Sequence, residues 1–231
     1  MATLNPAYEL STAVPADMDE VFRMMEVAYY NDAVWKHARK NVRDEDLHVW
    51  FMKFVAPRWD MPDTETFKIV DRASGRIIAW TALQYPWKHR PAMTKELQDL
   101  ANDHTPPSDF YWPEGFFIPP WDAFLEVMYS ANSHDYNPEE DYHRKGTMVH
   151  PTFQKQGLGT ILTQHTNSIS ARTGGRTWAP ARPSSYKMFL NERFRDVAVI
   201  DNQTERWGGT KEEGLNYLLR RDEVDVGALG V

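Results

Sequence analysis

Two-thirds of the way along the chain, "MVHPTFQKQGLGTIL" (residues 148–162) forces an apolar strand through a tight turn and into a helix. Pro151 closes the strand, because its ring fixes φ and removes a backbone donor. Gly157 and Gly159 then stand where the helix begins, although glycine costs about 1 kcal/mol relative to alanine in a helix. From Leu158 the apolar residues fall at helical spacing, with Leu158, Ile161, Leu162, His165 and Ile169 on one stripe that ends at Gly174–Gly175. A helix N-terminus offers unpaired N–H groups and about half a positive charge. With two glycines the backbone there is bare, so the stretch predicts an anion held close against it. It is neither the Gly-x-Gly-x-x-Gly of a dinucleotide fold nor the Gly-Lys-Ser/Thr ending of a P-loop.

The flanking chain reads as alternating elements. "AYELSTAV" is a first strand, and "VPADMDEVFRMMEVAYYND" an amphipathic helix with Met18, Val21, Phe22, Met25 and Tyr29 on one face. Asp17 and Glu20 have the spacing of a capping box. "DEDLHVWFMKFVAP" is a second helix, stopped by Pro57, and "TFKIVDRASGRIIAWTALQYP" a hairpin turning at Gly75. Residues 86–120 carry seven of the 15 prolines (86, 91, 106, 107, 113, 119 and 120), which predicts irregular structure for most of that stretch. Trp121, Phe124, Leu125 and Met128 then mark a helix, followed by an acidic loop and the strand "YHRKGTMVHP". After the glycine turn come the strand "RTWAPA", the short helix "SSYKMFLNE" and two closing strands, "DVAVID" and "LNYLLRR". The order implies an α/β or α+β sheet with helices on both faces.

Composition narrows the function. The chain has 231 residues, 42% of them hydrophobic and 13% aromatic, enough for one sizeable core. Without cysteine there is no thiol nucleophile, disulfide or thiolate metal site. The eight histidines show no metal-ligand spacing, so no metal is expected. A net charge of −7 argues against nucleic acid, and no apolar run is long enough for a membrane span. A soluble cytoplasmic protein is expected, with no oligomeric state specified.

Gln154-Lys155-Gln156-Gly157-Leu158-Gly159, with the strand end and proline before it and the helix after it, resembles the acyl-CoA signature of the GCN5-related N-acetyltransferase (GNAT) family. "VPADMDEVFRMMEVAY" is similar to that family's opening helix, and "TWAPARPSSYKMFLNERF" to its strand–helix–strand after the motif. The resemblance covers about three-quarters of the chain and leaves out residues 86–120. It implies a GNAT-like mixed, mostly antiparallel seven-stranded sheet, splayed open, in one domain over residues 1–231 with a Pro/aromatic-rich insertion at about 86–120. It implies acetyl-CoA or another acyl-CoA as donor. The N–H groups of Lys155, Gln156, Gly157, Leu158, Gly159 and Thr160, following Gln154, would hold its pyrophosphate, and Met148 and Val149 its pantetheine amides. The implied activity is acyl transfer to an amine of a small molecule.

The residues for proton transfer are less well marked. In the family's histone-modifying branch the base is a glutamate eleven residues before the motif's first residue, a position that here reads His143, a residue type whose pKa suits a base near neutrality. An exposed strand histidine without a task fits the same position. The family's tyrosine acid falls at Phe189 in "MFLNERF", with Arg193 where a glycine is usual; Tyr186, one turn earlier, is the substitute candidate. Alternating strand geometry would put His143, Lys145, Thr147 and Val149 on one face. Trp80, Tyr85, Trp112 and Phe117 are candidates for an apolar substrate pocket, or equally for a structural flap. Phe189 keeps open a GNAT-fold enzyme that has lost acyl transfer and acts on an apolar metabolite, and also a non-catalytic CoA-binding module.

Overall fold

Seven strands share one sheet in the order β1-β2-β3-β4-β5-β7-β6 in the computed structural model, which describes residues 2–222. β1 (Tyr8–Thr12), β2 (Thr64–Asp71), β3 (Ile77–Gln84) and β4 (Tyr142–Val149) run antiparallel to their neighbours. β5 (Thr177–Ala181) lies parallel to β4, and β7 (Leu215–Arg221) inserts antiparallel between β5 and β6 (Arg195–Asp201). The mixed, mostly antiparallel sheet is the predicted one, and Gly75 takes φ +70° in the β2–β3 turn as its position required.

The two faces of the sheet bury different residues. On one, α1 (Met18–Ala28), α2 (Trp35–Ala38), α3 (Asp44–Phe54) and α5 (Ile118–Tyr129) cover Trp80, Ala82 and Met148. On the other, α6 (Leu158–Thr173) packs Leu158, Ile161, Leu162 and Ile169 onto Phe67, Ile69, Ala79 and Leu83. α7 (Pro183–Asn191) sits beside α6 on β5 and β7. The anticipated stripes of α1 and α6 are the buried ones, with His165 half-buried at the stripe's edge. A short α8 (Lys211–Gly214) leads into β7. No helix among the described residues is long and apolar enough to cross a membrane.

Two local expectations give way to tertiary contacts. Asp17 accepts from the N–H of Val14 and binds Lys68 at 2.6 Å, while Glu20 accepts from the N–H of Ile77, so the pair ties α1 to the sheet and forms no capping box. Within residues 86–120, the proline-free stretch forms α4 (Lys95–Asn102), and Pro119 and Pro120 occupy the first turn of α5, where their missing N–H groups have no helical partner to lose. The rest is irregular and pinned down: Trp50 Nε1 donates to the carbonyl of Tyr111, and the N–H of Phe117 to that of Ala38.

Candidate active site

β4 and β5 pair only at Tyr142–Thr177 and His143–Trp178. Beyond that fork the strands diverge, and β4 from Arg144 onward has no partner on its β5 side. A cavity of about 960 Å³ opens in the gap, reaching from the end of β4 at Val149 and Gln154 to Phe189 on α7 and the aromatic side of the sheet.

At the mouth, the turn before α6 has the geometry its glycines suggested. Gly157 takes φ +80°, and a side chain there would meet nothing within 4 Å. Lys155 also adopts positive φ, at 60°. A Cβ on Gly159 would lie 3.1 Å from Met188 Sδ, so bulk there is excluded by α7. Among the described residues, no N–H from Lys155 to Thr160 has an acceptor in the protein; the first helical bond runs from Ile161 to Gly157. Orphan donors at a glycine-lined helix start are an anion cradle. Gln154 and Gln156 build the turn with their side chains: Gln154 Nε2 donates to the carbonyl of Val149, and Gln156 Oε1 accepts from Tyr8. His150 caps the short turn after β4, accepting from the N–H of Thr152.

The strand leading to the turn departs from simple alternation. Leu83 pairs with Arg144 and Ala82 with Gly146, which leaves Lys145 as a bulge. A bulge resets which face each residue takes. His143 therefore shares a face with Gly146 and Met148, and Arg144 shares one with Thr147 and Val149, which overturns the predicted set His143, Lys145, Thr147, Val149. Thr81 secures the bulge: its hydroxyl donates to the carbonyl of Gly146 and accepts from Arg144 Nη2 at 2.7 Å.

His143 does reach the cavity, at the fork, with its ring against Tyr136. Burial, reinforced by the charge of Lys145, holds its pKa well below the usual imidazole value, so it is neutral and weakly basic, and Nδ1 has no partner. Lys145 is the stronger proton acceptor. It lines the cavity, has no hydrogen-bond or ion-pair partner among the described residues, and is brought down to about 7 by burial and by the charge of Arg58, against the opposing pull of Asp63. Arg58 and Asp63 are themselves a closed pair, with Nη1–Oδ1 2.8 Å and Nη2–Oδ2 2.9 Å, and Asp63 also accepts from Gln84 and Trp87.

On α7, Tyr186 is turned away from the cavity where an acid would be needed. It lies outside the cavity lining, stacks on Tyr217, and gives its hydroxyl to Asp196 at 2.7 Å, which raises its pKa. Phe189 lines the cavity at the position of interest. Arg193 takes φ +67°, the left-handed conformation that explains why a glycine is usual there.

The aromatic wall is only partly the anticipated one. Trp112 lines the cavity, stacked on Trp50 and Phe116, together with Trp35, Trp59, Phe110 and Trp121. Trp80 is fully buried beneath Gly146, Tyr85 faces the α6 side with its hydroxyl on Glu65, and Phe117 is 45% exposed; none of the three lines the cavity.

No family model and no curated protein sequence matches the chain. Solved structures do. An agmatine N-acetyltransferase in its apo form is 10% identical, with a TM-score of 0.58 over 94% of this chain and 99% of that one. A mosquito arylalkylamine N-acetyltransferase-like protein is 14% identical, with a TM-score of 0.57 over 93% and 99%. A Corynebacterium glutamicum protein described as a histone acetyltransferase and related acetyltransferase is 10% identical, with a TM-score of 0.57 over 94% and 97%. The chain has the GNAT fold.

On that fold, the cavity residues that sequence reasoning missed are Arg144 and Lys145. A signal was present in "HRKG": two adjacent cations followed by glycine inside a central strand point to a broken ladder.

Proposed function

We propose that the protein transfers an acyl group from acyl-CoA to the amine of a small, largely apolar molecule. The observation that carries the reading is the run of unpartnered N–H groups from Lys155 to Thr160 at the mouth of the splayed strands. These residues fit a pyrophosphate, because the N–H groups from Lys155 to Thr160 are unpartnered and a Cβ at Gly157 would meet nothing within 4 Å, which leaves the turn open on that side. The open β5-side edge of β4 at Met148 and Val149 fits the amides of a pantetheine arm. Acetyl-CoA, or another acyl-CoA, supplies an activated acyl group as a thioester.

The chain's own groups provide the rest. Trp112, Trp35, Phe110 and Trp121 offer an apolar wall for the acceptor, in line with the aryl group named for the arylalkylamine N-acetyltransferase-like protein. With its pKa near 7, Lys145 is about half neutral at pH 7 and receives the proton that the acceptor's ammonium must lose. His143, neutral beside it, contributes an uncharged wall. The reading places the protein in the cytoplasm, where acyl-CoA is supplied, with no nucleic-acid or membrane partner.

Calorimetry with acetyl-CoA against the pantetheine fragment alone tests the cradle: strong heat from the first and little from the second is expected, and equal affinities reject it. Thiol release across a panel of aromatic amines tests the transfer. Phe189 in place of a tyrosine favours a second reading, in which the fold has lost acyl transfer and acts on an apolar metabolite. Conversion of such a metabolite with no thiol released would select it.

A further inference from the structure

A buried cation stands without an anion between α7 and β4. Arg144 is 1% exposed; Nη2 donates to Thr81 Oγ1 and Thr147 Oγ1, while Nε and Nη1 have no partner. Its Cζ lies 5.6 Å from the centroid of the Phe189 ring. No carboxylate forms an ion pair with it among the described residues. The titratable groups around it are Lys145, next in the chain, and His165 from α6, both bases; Glu65 acts on His165 and not on Arg144. Burying an unpaired charge is costly unless something compensates it, so the site calls for an anion that comes from outside the chain.

The position says which anion. The cavity is lined by Gln154 just before the glycine turn, by Val149 at the end of β4, and further in by Phe189 and Arg144, whose guanidinium lies over the Phe189 ring. Arg144 lies five residues up β4 from Val149, roughly 15 Å at about 3.3 Å per residue. That is too deep for a pyrophosphate seated on the turn and within reach of the far end of a pantetheine arm. Phe189 occupies the place where a proton donor for the departing sulfur would stand, and it cannot donate.

We propose that Arg144 holds the departing CoA sulfur as a thiolate, replacing with an ion pair the proton that a tyrosine at Phe189 would have given. The proposal rests on the acyl-CoA reading. In the step, the acceptor's nitrogen lone pair forms the C–N bond and the C–S bond breaks with its electron pair kept on sulfur, opposite the guanidinium. The acceptor's ammonium first gives one proton to Lys145, which releases it to water, and the second proton, lost from nitrogen as the C–N bond forms, leaves by the same route. No further reactant is needed.

The test is the far-ultraviolet absorbance of the thiolate, followed through a pH titration of CoA bound to wild type, Arg144→Lys and Arg144→Met. Bound to wild type, the thiol is expected to ionise at least about one pH unit below free CoA, a tenfold change in its acidity. Arg144→Lys should keep most of the shift. Arg144→Met should abolish it with CoA affinity within a few-fold, and should lower kcat by roughly 10- to 100-fold, partly restored by adding Phe189→Tyr. A wild-type-bound thiol that ionises as in free solution overturns the proposal, and this measurement needs no variant to fold. An Arg144→Met variant that changes only the acceptor's KM also overturns it, because the guanidinium would then hold the acceptor. Failure of wild type to bind CoA at all would reject the acyl-CoA reading instead.

Discussion

The two walls of the cleft are built by different means. The wall at the glycine turn is backbone: consecutive N–H groups from Lys155 to Thr160, shaped by residues adjacent in sequence. The opposite wall is side chains from α2, α3, the 104–112 segment and α5, held by Trp50, which contacts Phe54, Phe110, Trp112, Phe116 and Trp121. A backbone cradle can be read from a dozen residues. A side-chain wall exists only after segments far apart in the chain have packed. On the proposed reading, the first wall meets a donor with constant phosphates and the second an acceptor.

Substitutions at the junction should produce the largest effects. Lys145→Met is expected to lower kcat by about 10²–10⁴-fold, the usual worth of a positioned base. In wild type the rate should climb as pH rises through about 7, where Lys145 becomes neutral, and then level; the variant should lose that limb while calorimetric affinity for acetyl-CoA holds. A limb that persists would remove Lys145 from the proton path.

The aromatic wall should answer next. Trp50→Ala should destabilise the fold by about 3–5 kcal/mol, typical of a large aromatic lost from a core, read by urea unfolding. None of residues 155–160 belongs to this cluster, so CoA binding to the remaining folded protein should change little. Loss of both together would show the walls to be one cooperative unit.

Gly159→Trp strikes the other wall, and its bulk also presses on Met188 of α7. Hydrogen bonds to charged groups are worth about 1.5–3 kcal/mol, so losing part of the cradle should weaken acetyl-CoA by on the order of 2 kcal/mol. Equal acetyl-CoA affinity in wild type and variant would separate the turn from the donor.

The smallest expected effect concerns what props the aromatic side from beneath. Burial alone would raise the pKa of Asp63, but the bonds and charge of Arg58, with Trp87 and Thr64, outweigh it and leave the carboxyl below its ordinary value of 3.8. A depressed folded-state pKa adds stability that is fully present above the ordinary carboxylate value and is lost as pH falls through the lowered one. Wild type should therefore lose stability below about pH 4 along a steeper curve than Asp63→Asn, as thermal melts across pH 2–6 would show. Parallel curves would mean that the Arg58 pair contributes nothing through ionisation.

Much of the architecture was legible from local rules. The α1 and α6 stripes, the β2–β3 hairpin and the glycine turn depend on residues two to four apart, and each appears where its period placed it. α4 escaped because the prolines around it were read as one block, although none falls between residues 92 and 105. Tyr186 and Phe189 lie three residues apart on α7, yet only Phe189 faces the cavity, because Tyr186 is drawn away by Asp196 and Tyr217.

By itself the sequence determined the order of the seven strands and of α1, α3, α5, α6 and α7, the bare helix start and the absence of a tyrosine at Phe189, because each is a property of neighbouring residues. Tertiary structure alone decided the insertion of β7 between β5 and β6, the fork after His143, and the bulge at Lys145 that moved His143 to the face opposite Thr147 and Val149. Register is set by the partner strand, and one unpaired residue reverses which face the rest of a strand presents. For the same reason "HRKG" marks a broken ladder but not the chemistry of Arg144 and Lys145. A cation becomes an unpaired buried guanidinium, or an amine that titrates near 7, only when distant segments remove its water without supplying a carboxylate.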